Sequence, residues 1–245
     1  MAAHPLLVLD FDGVVCDSLD ECFVSSWVAF FTLYRNEAPP HVPVTLRRDF
    51  ARLRPFIRAG ADFMLIQEIL HEGMTVTDQQ SFDRLVREAG PEKMAGFKEL
   101  FVTARTDLME RDRSFWMSLN RIYPHMLDAF ARLPVDAPVH ILSTKMPLFI
   151  AEILAHAQIQ FPPHRIHEAQ SNDKLTTVEL LRAEGAFRKA IFVDDQIDYL
   201  RGNTTAVEAY LASWGYVKQE WLAADSGVHV ITPTSFLTLI ERELL

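Results

Sequence analysis

LVLDFDGVVCDS, residues 7–18, joins an apolar run to a cluster of aspartates, and the rest of the fold can be built outward from it. The run predicts a buried strand, in which side chains two residues apart point to the same face, so Asp10 and Asp12 project together from its end. Two ionised carboxylates this close repel each other, and removal from water strengthens the repulsion. A metal ion, a proton held by one of the acids, or both would offset that repulsion. A surface turn is the alternative interpretation, because Asp and Gly favour turns.

Composition limits the functions that the chain can have. Its 245 residues are enough for one larger domain or for a core with a smaller inserted domain, and 49% of them are hydrophobic, so it can bury a core. The formal net charge of −9 argues against a nucleic-acid partner, which requires a basic surface. It does not exclude an anionic substrate, because a bound divalent cation inverts the local field. The two cysteines, Cys16 and Cys22, are too few for a disulfide framework and show no zinc-ligand spacing.

The apolar run before Asp10 is too short for the hydrophobic region of a secretory signal or for a membrane span. We therefore expect a cytoplasmic protein with no membrane partner. The sequence leaves monomer and homodimer open, and the aromatic-rich segment described below is a candidate interface.

Five short apolar runs, each bounded by polar or turn residues, predict strands. They are LLVL (6–9), VHIL (139–142), AIFV (190–193), AVEAYLA (206–212) and VHVI (228–231). Long helical patterns separate most of them, which is typical of a parallel sheet with crossover helices. Function in such sheets gathers at the carboxyl ends of the strands. The polar residues that follow the runs are therefore the candidate site residues, namely Asp10, Asp12, Ser143, Asp194 and Asp195.

Residues 16–121 break this alternation, because they contain several helical segments and no convincing strand. Ser18 followed by Glu21 forms a capping-box pattern. A stripe of aromatic residues follows at helical spacing and predicts core packing rather than a ligand cage. It consists of Phe23, Trp27, Phe30, Phe31 and Tyr34. The segment is predicted to be an all-helical insert between the first strand and the second.

Two further signals organise the insert. RPFIRAGADFMLIQEIL, residues 54–70, carries proline near its start and predicts a mostly buried helix, and Gly90-Pro91 breaks the pattern before further helices. Arg54 and Arg58 would lie one turn apart on the first of these helices. An arginine in the apolar surroundings of Arg58 either extends to solvent or meets an anion, so Arg58 is a candidate substrate-binding residue.

With the strand ends aligned, the chain resembles the haloacid dehalogenase superfamily of aspartate-nucleophile phosphatases over essentially its whole length. DFDGVVCDS (10–18) is similar to the first motif of the superfamily, and Ser143 stands where the second motif has Ser or Thr. Lys174 stands in the place of the lysine of the third motif, and FVDDQID (192–198) resembles the acidic fourth motif. SWGY (213–216) is a further match. The subgroup that the chain resembles is that of phosphoglycolate-phosphatase-like proteins with a helical cap.

The resemblance implies a Rossmann-like α/β core with a parallel sheet, formed by residues 1–15 and 122–245, and a helical cap formed by residues 16–121. It implies that Asp10 is the nucleophile and Asp12 the acid and base. Mg²⁺ would bind Asp10, the backbone carbonyl of Asp12 and one acid of the pair that follows strand 190–193. We favour Asp195 as the direct ligand, because it aligns with the aspartate of the commoner Gly-Asp-Ser form, and we place Asp194 behind it.

The chemistry accounts for the same residue types independently of the family. A carboxylate that attacks phosphorus forms an acyl phosphate, and a second carboxyl group nearby can first protonate the leaving group and then deprotonate water. Ser143, Thr144 and Lys174 can meet the charge of the phosphoryl oxygens. Because the helix macrodipole disfavours a cation at a helix start, Lys174 at such a position favours a functional role. Gly13 permits the tight turn that follows the acids.

The chain departs from the pattern of the superfamily at two points. The fourth motif reads DDQID, which leaves the role of Asp198 open. Ser143-Thr144-Lys145 stands where Thr-Asn-Lys is frequent, and Lys145 either reaches the pocket or lies exposed at a helix start.

The predicted function is the Mg²⁺-dependent hydrolysis of the phosphate monoester of a small soluble metabolite through an aspartyl-phosphate. A phosphomutase or a phosphonatase is the alternative within the superfamily, because both keep much of the same phosphate site. Asp12 argues against dehalogenation, since dehalogenases of the superfamily usually lack the second aspartate. Rivals from other classes are a phosphoacceptor module of the receiver kind and a catalytically silent binding protein. The DxDG pair and the long insert argue against the first, and the retained site residues argue against the second.

Overall fold

The computed structural model describes residues 4–40, 44–169, 173–202, 206–223 and 226–245. The chain divides into two compact units, one formed by Met1–Asp17 with Arg121–Leu245 and the other by Ser18–Asn120. The predicted insert, residues 16–121, extends slightly beyond the second unit at both ends. The reason is that Cys16–Asp17 pairs with Arg121–Ile122 in a short antiparallel ladder, which belongs to the first unit.

The strands are numbered in chain order. They are β1 (Leu6–Leu9), β2 (Cys16–Asp17), β3 (Arg121–Ile122), β4 (Val139–Ser143), β5 (Ile166–Glu168), β6 (Ala190–Asp194), β7 (Val207–Ala212) and β8 (His229–Ile231). The α-helices are α1 (Leu19–Val28), α2 (Val44–Leu53), α3 (Gly60–His71), α4 (Gln79–Arg111), α5 (Arg113–Ser118), α6 (Pro124–Arg132), α7 (Pro147–His156), α8 (Lys174–Glu184) and α9 (Pro233–Leu244).

The longer strands of the described ranges form one sheet in the order β5-β4-β1-β6-β7-β8, and all of its pairs are parallel. β1 lies in the middle, with Leu9 opposite Ile141 of β4 on one side and opposite Val193 of β6 on the other. The carboxyl ends of these three strands therefore meet at one edge of the sheet, where ligands bind in open α/β sheets. The predicted α/β class with a parallel sheet is confirmed.

The predicted strands correspond to strands of the structure to within one or two residues at each end. β1 is fully buried along its whole length, as are Ala190–Val193 of β6. Parallel strands that are covered on both faces have continuous apolar sequences. Their apolar runs therefore predicted β1 and β6 from the sequence.

The sequence pattern missed the two-residue strands β2 and β3 and, within the six-stranded sheet, β5. The expectation of no strand in residues 16–121 is therefore wrong at Cys16–Asp17. β5 is the larger omission. It has three residues, it lies at the edge of the sheet, and of these residues only Ile166 is buried. The next residue, His167, is not buried, and its Nε2 lies 2.9 Å from Nδ1 of His140 in β4. A short edge strand of this kind contains no apolar run to recognise.

Within the described residues, the regular elements of the second unit are helices, and they include α1–α5. Gly90 has φ 78° and interrupts α4, so the element consists of two helices in succession, as the Gly90-Pro91 pair predicts. None of the helices in the described ranges combines the length and the apolar content that a bilayer span requires.

The prediction of one helix over residues 54–70 is wrong in its first part. Arg54–Phe56 forms a short 3-10 turn, Ile57 is extended, and α3 begins only at Gly60. The cause is Asp62, whose Oδ2 accepts hydrogen bonds from the backbone N–H groups of Arg58 at 2.8 Å and Ala59 at 3.0 Å. These bonds satisfy donors that a helix start leaves unpaired, so they fix the start of α3 after Arg58.

The aromatic stripe of the insert forms core as predicted, except at its end. Phe23, Trp27, Phe30 and Phe31 are buried, whereas Tyr34 is 41% exposed and packs edge-on against Phe97. The capping box predicted at Ser18 is absent, because the Ser18 side chain makes no capping hydrogen bond to the helix.

Glu21 is engaged elsewhere, in a buried ion pair with Arg105 of α4. Arg105 donates from Nε to Oε1 at 2.8 Å and from Nη2 to Oε2 at 2.9 Å. Ser25 donates to Oε1 at 2.7 Å and Trp116 donates to it at 3.3 Å. The carboxylate is thus surrounded by donors, which is the condition under which a buried charge is tolerated.

This network predicts the response of the helical unit to substitution. Arg105→Met leaves the Glu21 carboxylate buried without its cation and should lower the free energy of unfolding by about 3–5 kcal/mol. The double variant Glu21→Gln/Arg105→Met buries no charge and should recover most of that loss. Urea denaturation followed by circular dichroism measures both values.

Arg111→Met is the matched control, because Arg111 lies on the same helix and pairs with Asp107 at the surface. Its effect should stay below about 1 kcal/mol. A double variant as unstable as Arg105→Met alone would contradict the assignment of the network.

Candidate active site

The site is built at the carboxyl end of β1. Asp10 and Asp12 follow the strand and are 7% and 9% exposed, so both carboxylates are removed from most of the solvent. The chain then turns back, and the N–H of Gly13 donates to the carbonyl of Cys16 at 2.8 Å. The two acids therefore lie on a short, tightly closed loop rather than in a mobile surface turn.

Gly13 is required at this turn for two reasons. Its φ is 91°, a left-handed conformation that residues with a side chain rarely adopt. A Cβ there would also lie 2.0 Å from Asp195 Oδ2. Gly215 packs against the same side chain, where a Cβ would lie 2.4 Å from Asp195 Cβ. These two glycines let the backbone close around Asp195.

β6 brings its acids to the same place. The register of β1 with β6 sets Asp10 level with Asp194, and carboxylate oxygens of Asp10, Asp194 and Asp195 all lie within 4.8 Å of one another. All three residues are buried. The sequence predicts this convergence from strand ends alone, and the structure brings the three side chains together.

Lys174 begins α8 and buries its ammonium group between two of these acids, with its side chain 1% exposed. Nζ lies 3.0 Å from Asp10 Oδ1 and donates a hydrogen bond of 2.8 Å to Asp194 Oδ2. It also lies 4.6 Å from the centroid of the Tyr199 ring. Burial by itself would lower the pKa of Lys174, but the carboxylates of Asp10 and Asp194 outweigh burial and raise the pKa above its ordinary value. The group therefore stays positively charged.

Asp194 has both oxygens engaged by protein donors. Oδ2 accepts from Lys174, and Oδ1 accepts the backbone N–H of Gln196 at 2.8 Å. Burial raises the pKa of Asp194 to about 8, against the opposing effect of Lys174 and with the help of the Asp10 and Asp195 carboxylates. Three carboxylates share one ammonium group at this point, and a cation would relieve the excess of negative charge.

Asp195 is held by the loop that follows β7. The backbone N–H of Tyr216 donates to Asp195 Oδ2 at 2.8 Å, and the Tyr216 hydroxyl donates to Asp17 Oδ1 at 2.9 Å. Trp214 of the same loop donates from Nε1 to the carbonyl of Val14 at 3.0 Å. The SWGY segment thus ties Asp195 to the loop that carries Asp10 and Asp12. Sequence reasoning noted this segment only as a match to the superfamily and assigned it no role.

Lys145 reaches the site, which settles the alternative that the sequence left open. Its side chain is 1% exposed, and Nζ lies 2.9 Å from Asp12 Oδ1. The reading as an exposed lysine at a helix start is therefore wrong. The loop between Ser143 and the start of α7 at Pro147 turns the side chain inward. Each acid of the β1 loop thus has a lysine beside it.

Ser143 and Thr144 lie in the same loop. Ser143 ends β4, is 2% exposed, and its hydroxyl oxygen accepts the backbone N–H of Lys145 at a long 3.4 Å. Thr144 is half-buried. Asp198, whose role the sequence left open, has Oδ1 3.6 Å from Nη1 of Arg201 and does not belong to the group of acids that could hold a metal.

The donor set fits a hard divalent cation. Four carboxyl groups, those of Asp10, Asp12, Asp194 and Asp195, lie together with two ammonium groups, those of Lys145 and Lys174. Asp10 Oδ1 is buried and, within the described residues, accepts no hydrogen bond of proper geometry although Lys174 Nζ is near. A buried carboxylate oxygen that accepts no well-aligned hydrogen bond, with further carboxyl groups around it, offers the oxygen ligands that Mg²⁺ prefers.

Arg58 lies in the helical unit and has an anionic partner there. Its guanidinium pairs with Asp83, with 2.5 Å between Nη1 and Oδ1 and 3.3 Å between Nη2 and Oδ2. Arg54 is not one helical turn away, because the 3-10 turn ends at Phe56 and Ile57 is extended. The anion that Arg58 meets in the structure is a side chain of its own unit.

Comparison with family models and with curated protein sequences gave no match. Solved structures do match. A haloacid dehalogenase-like family hydrolase from Streptococcus pneumoniae is 14% identical, covers 98% of this chain and 100% of its own, and superimposes with a TM-score of 0.60. A protein from Haemophilus somnus described as a predicted phosphoglycolate phosphatase is 14% identical, with coverage of 98% and 99% and a TM-score of 0.61.

Protein tyrosine kinase A of Mycobacterium tuberculosis also matches, at 17% identity, with both chains fully covered and a TM-score of 0.55. Similarity at these identities establishes the architecture, and proteins of different chemistry share it. The chain therefore has the fold of the haloacid dehalogenase-like proteins, and its activity has to be argued from the site.

The different partners of the two β6 acids predict different effects on metal binding. Asp195→Asn should weaken the binding of Mg²⁺ at least about tenfold more than Asp194→Asn, since both oxygens of Asp194 already serve protein donors. Isothermal titration calorimetry with Mg²⁺ gives the two Kd values. Asp198→Asn, in the same loop, should leave the Kd unchanged. A larger loss for Asp194→Asn would mean that Asp194 is the direct ligand.

Proposed function

We propose that the protein is a Mg²⁺-dependent phosphatase, which hydrolyses the phosphate monoester of a small metabolite through an aspartyl-phosphate at Asp10. The observation that carries this proposal is the pairing of two acids on one buried loop with two different lysines, Asp10 with Lys174 and Asp12 with Lys145. Two carboxylates with separate surroundings suit a reaction that needs a nucleophile and a separate group to move protons. The shared fold supports the same class of enzyme.

The groups that would hold Mg²⁺ are the side chains of Asp10 and Asp195 and the backbone carbonyl of Asp12. Asp194 would act indirectly, because it holds Lys174, which contacts Asp10. When bound, the ion would neutralise part of the charge of the carboxylates and of the phosphoryl group. Asp10 Oδ1 supports this arrangement, because it is buried and, within the described residues, accepts no hydrogen bond of proper geometry although Lys174 Nζ is near.

The first half of the reaction forms the covalent intermediate. A carboxylate oxygen of Asp10 attacks phosphorus as the bond from phosphorus to the ester oxygen breaks, and the electron pair of that bond passes to the leaving group. Asp12 gives the leaving oxygen a proton. The product of this half is an aspartyl-phosphate at Asp10 and a free alcohol.

The second half returns the enzyme to its starting state. Asp12, now ionised, takes a proton from a water molecule whose oxygen attacks phosphorus. The bond from phosphorus to Asp10 breaks, and inorganic phosphate leaves. One carboxyl group thus serves both steps, because the first step leaves it in the protonation state that the second step needs.

Other groups at the carboxyl edge of the sheet would bind the phosphoryl oxygens. Lys174 provides a fixed positive charge beside the nucleophile, and Ser143 with Thr144 provides hydroxyl groups at the end of β4. Arrays of fixed donors and charges stabilise the transition state without having to reorganise during the reaction.

Arg58 was the candidate for substrate selection, and its contacts give that role no support, since Asp83 already serves as its anion. A substrate role for Arg58 therefore stays a prediction that would require the exchange of Asp83 for the substrate.

The division of labour between the two acids predicts a trapped intermediate. Asp12→Asn keeps the size of the side chain but cannot accept a proton from water, a loss that typically costs about 10²–10⁴-fold in rate. With an activated aryl phosphate, which needs little protonation of its leaving group, attack should continue while hydrolysis stalls. Intact-mass measurement after rapid acid quench should detect one phosphoryl group, and peptide mapping should place it on Asp10.

Asp10→Asn is the control and should trap no phosphoryl group. An adduct on Asp12 would contradict the assignment of the nucleophile. Full steady-state turnover by Asp12→Asn would contradict its role in proton transfer.

A further inference from the structure

The second lysine of the site, Lys145, has no task in the mechanism above. Its side chain is almost completely buried, and its Nζ lies 2.9 Å from Asp12 Oδ1 and 5.6 Å from the centroid of the Phe11 ring. Burial of an ammonium group is costly and is tolerated when an anion faces it. An exposed position at the start of α7 would avoid this cost. The loop nevertheless turns Lys145 inward.

The two lysines contact different acids of the β1 loop. Lys174 contacts Asp10 and Asp194, which places its charge beside the nucleophile. Lys145 contacts Asp12, which places its charge beside the group proposed to protonate the leaving oxygen. Each acid of the β1 loop thus has a lysine of its own. A single role as a counter-ion for the phosphoryl group does not account for both.

The position of Asp12 sets an upper limit on the distance between Lys145 Nζ and the oxygen of a leaving group. A leaving oxygen that receives a proton from Asp12 must approach it to a hydrogen-bond distance of about 2.7 Å. If it does so at Oδ1, the same oxygen lies within about 5.6 Å of Lys145 Nζ at most. An ammonium group carries three donors on a flexible stem, so Lys145 can serve Asp12 and a nearby oxygen at the same time.

We propose that Lys145 is a catalytic residue that stabilises the negative charge of the leaving-group oxygen, and that the site is therefore built for phosphate esters of aliphatic alcohols. The proposal rests on the proposed phosphatase function. Alcohols are poor leaving groups, whose oxygen takes up much charge as the bond to phosphorus breaks. A fixed positive charge at that oxygen lowers the barrier most where this charge is largest. Acyl phosphates and other activated esters would gain little from it.

The role of Lys145 does not change which bonds form and break or which group supplies the proton. The bond from Asp10 to phosphorus forms, the bond from phosphorus to the ester oxygen breaks, and the electron pair of that bond goes to the leaving oxygen. Asp12 supplies the proton that this oxygen takes up. Lys145 keeps its three protons throughout and acts through its charge and one donated hydrogen bond.

The test is the dependence of the rate on the leaving group. Wild type, Lys145→Met, Lys145→Gln and Lys145→Arg are compared on a series of substituted phenyl phosphates that ends in a simple alkyl phosphate, at saturating Mg²⁺. Lys145→Met should lose on the order of 10²-fold in kcat/KM on the alkyl ester, the typical effect of removing one such donor, and little on the most activated aryl ester. A plot of log kcat/KM against the pKa of the leaving group should therefore become steeper.

The other variants distinguish the effect of the positive charge at position 145 from the effect of altering the side chain there. Lys145→Gln keeps a donor without the charge and should show the same steeper plot, whereas Lys145→Arg keeps the charge and should restore most of the wild-type slope. Lys189→Met removes a surface lysine that pairs with Glu208 in the same unit, and it should leave rate and slope unchanged.

A loss of equal size on every ester, or no loss at all, would overturn the role of Lys145 while leaving the phosphatase assignment in place. Absence of phosphate release by the wild-type protein from every ester would instead overturn the proposed function and this inference together. Thermal unfolding of each variant shows whether it is folded, and Lys145→Gln replaces Lys145→Met in the comparison if the latter is not.

Discussion

The ion pairs of the buried Lys174 with Asp10 and Asp194 are the contacts on which the rest of the site depends. β1 and β6 are neighbours in register, so their terminal acids are forced together wherever the sheet forms. Desolvation makes the mutual repulsion of such acids larger than it would be in water. Lys174 offsets part of it, and removal of one partner from a buried pair of this kind typically costs about 3–5 kcal/mol. The excess of carboxylates that remains prepares the site for a divalent cation.

The same logic extends along the edge of the sheet. The loop after β4 supplies Lys145 to Asp12, and the loop after β7 supplies a backbone N–H to Asp195. β1 and β6 therefore contribute the acids at this edge, and the loops after β4 and β7 contribute groups that hold them. Glycine at positions 13 and 215 lets the loops approach closely enough for these contacts to form. Sheet topology thus determines which residues meet, and loop conformation determines their partners.

Much of this arrangement could be predicted from the sequence, because parallel strands buried on both faces have apolar sequences and end in polar residues at a common edge. β5 escaped prediction because it is short, lies at the edge and has one buried residue. The start of α3 was misplaced because the pattern shows apolar spacing and cannot show that Asp62 captures the two backbone amides before it.

Contacts between residues far apart in the chain also could not be predicted from the sequence. Glu21 and Arg105 are 84 positions apart, and the capping pattern at Ser18 offered a local partner for Glu21 that the fold does not use. Lys145 stayed undecided because spacing along a chain does not reveal which way a loop turns a side chain. The role of SWGY was missed for a related reason, since its contact with Asp195 is made by the backbone N–H of Tyr216, a group that every residue except proline carries.

The central claim is that the buried acids and lysines at the carboxyl edge of the sheet transfer phosphoryl groups with the help of Mg²⁺. Phosphate release from p-nitrophenyl phosphate by the purified protein tests it most directly, measured for wild type and Asp10→Asn with Mg²⁺ and after exhaustive chelation. The account predicts release by the wild-type protein that requires Mg²⁺ and that Asp10→Asn abolishes. Release that survives chelation, or that Asp10→Asn retains, would contradict it.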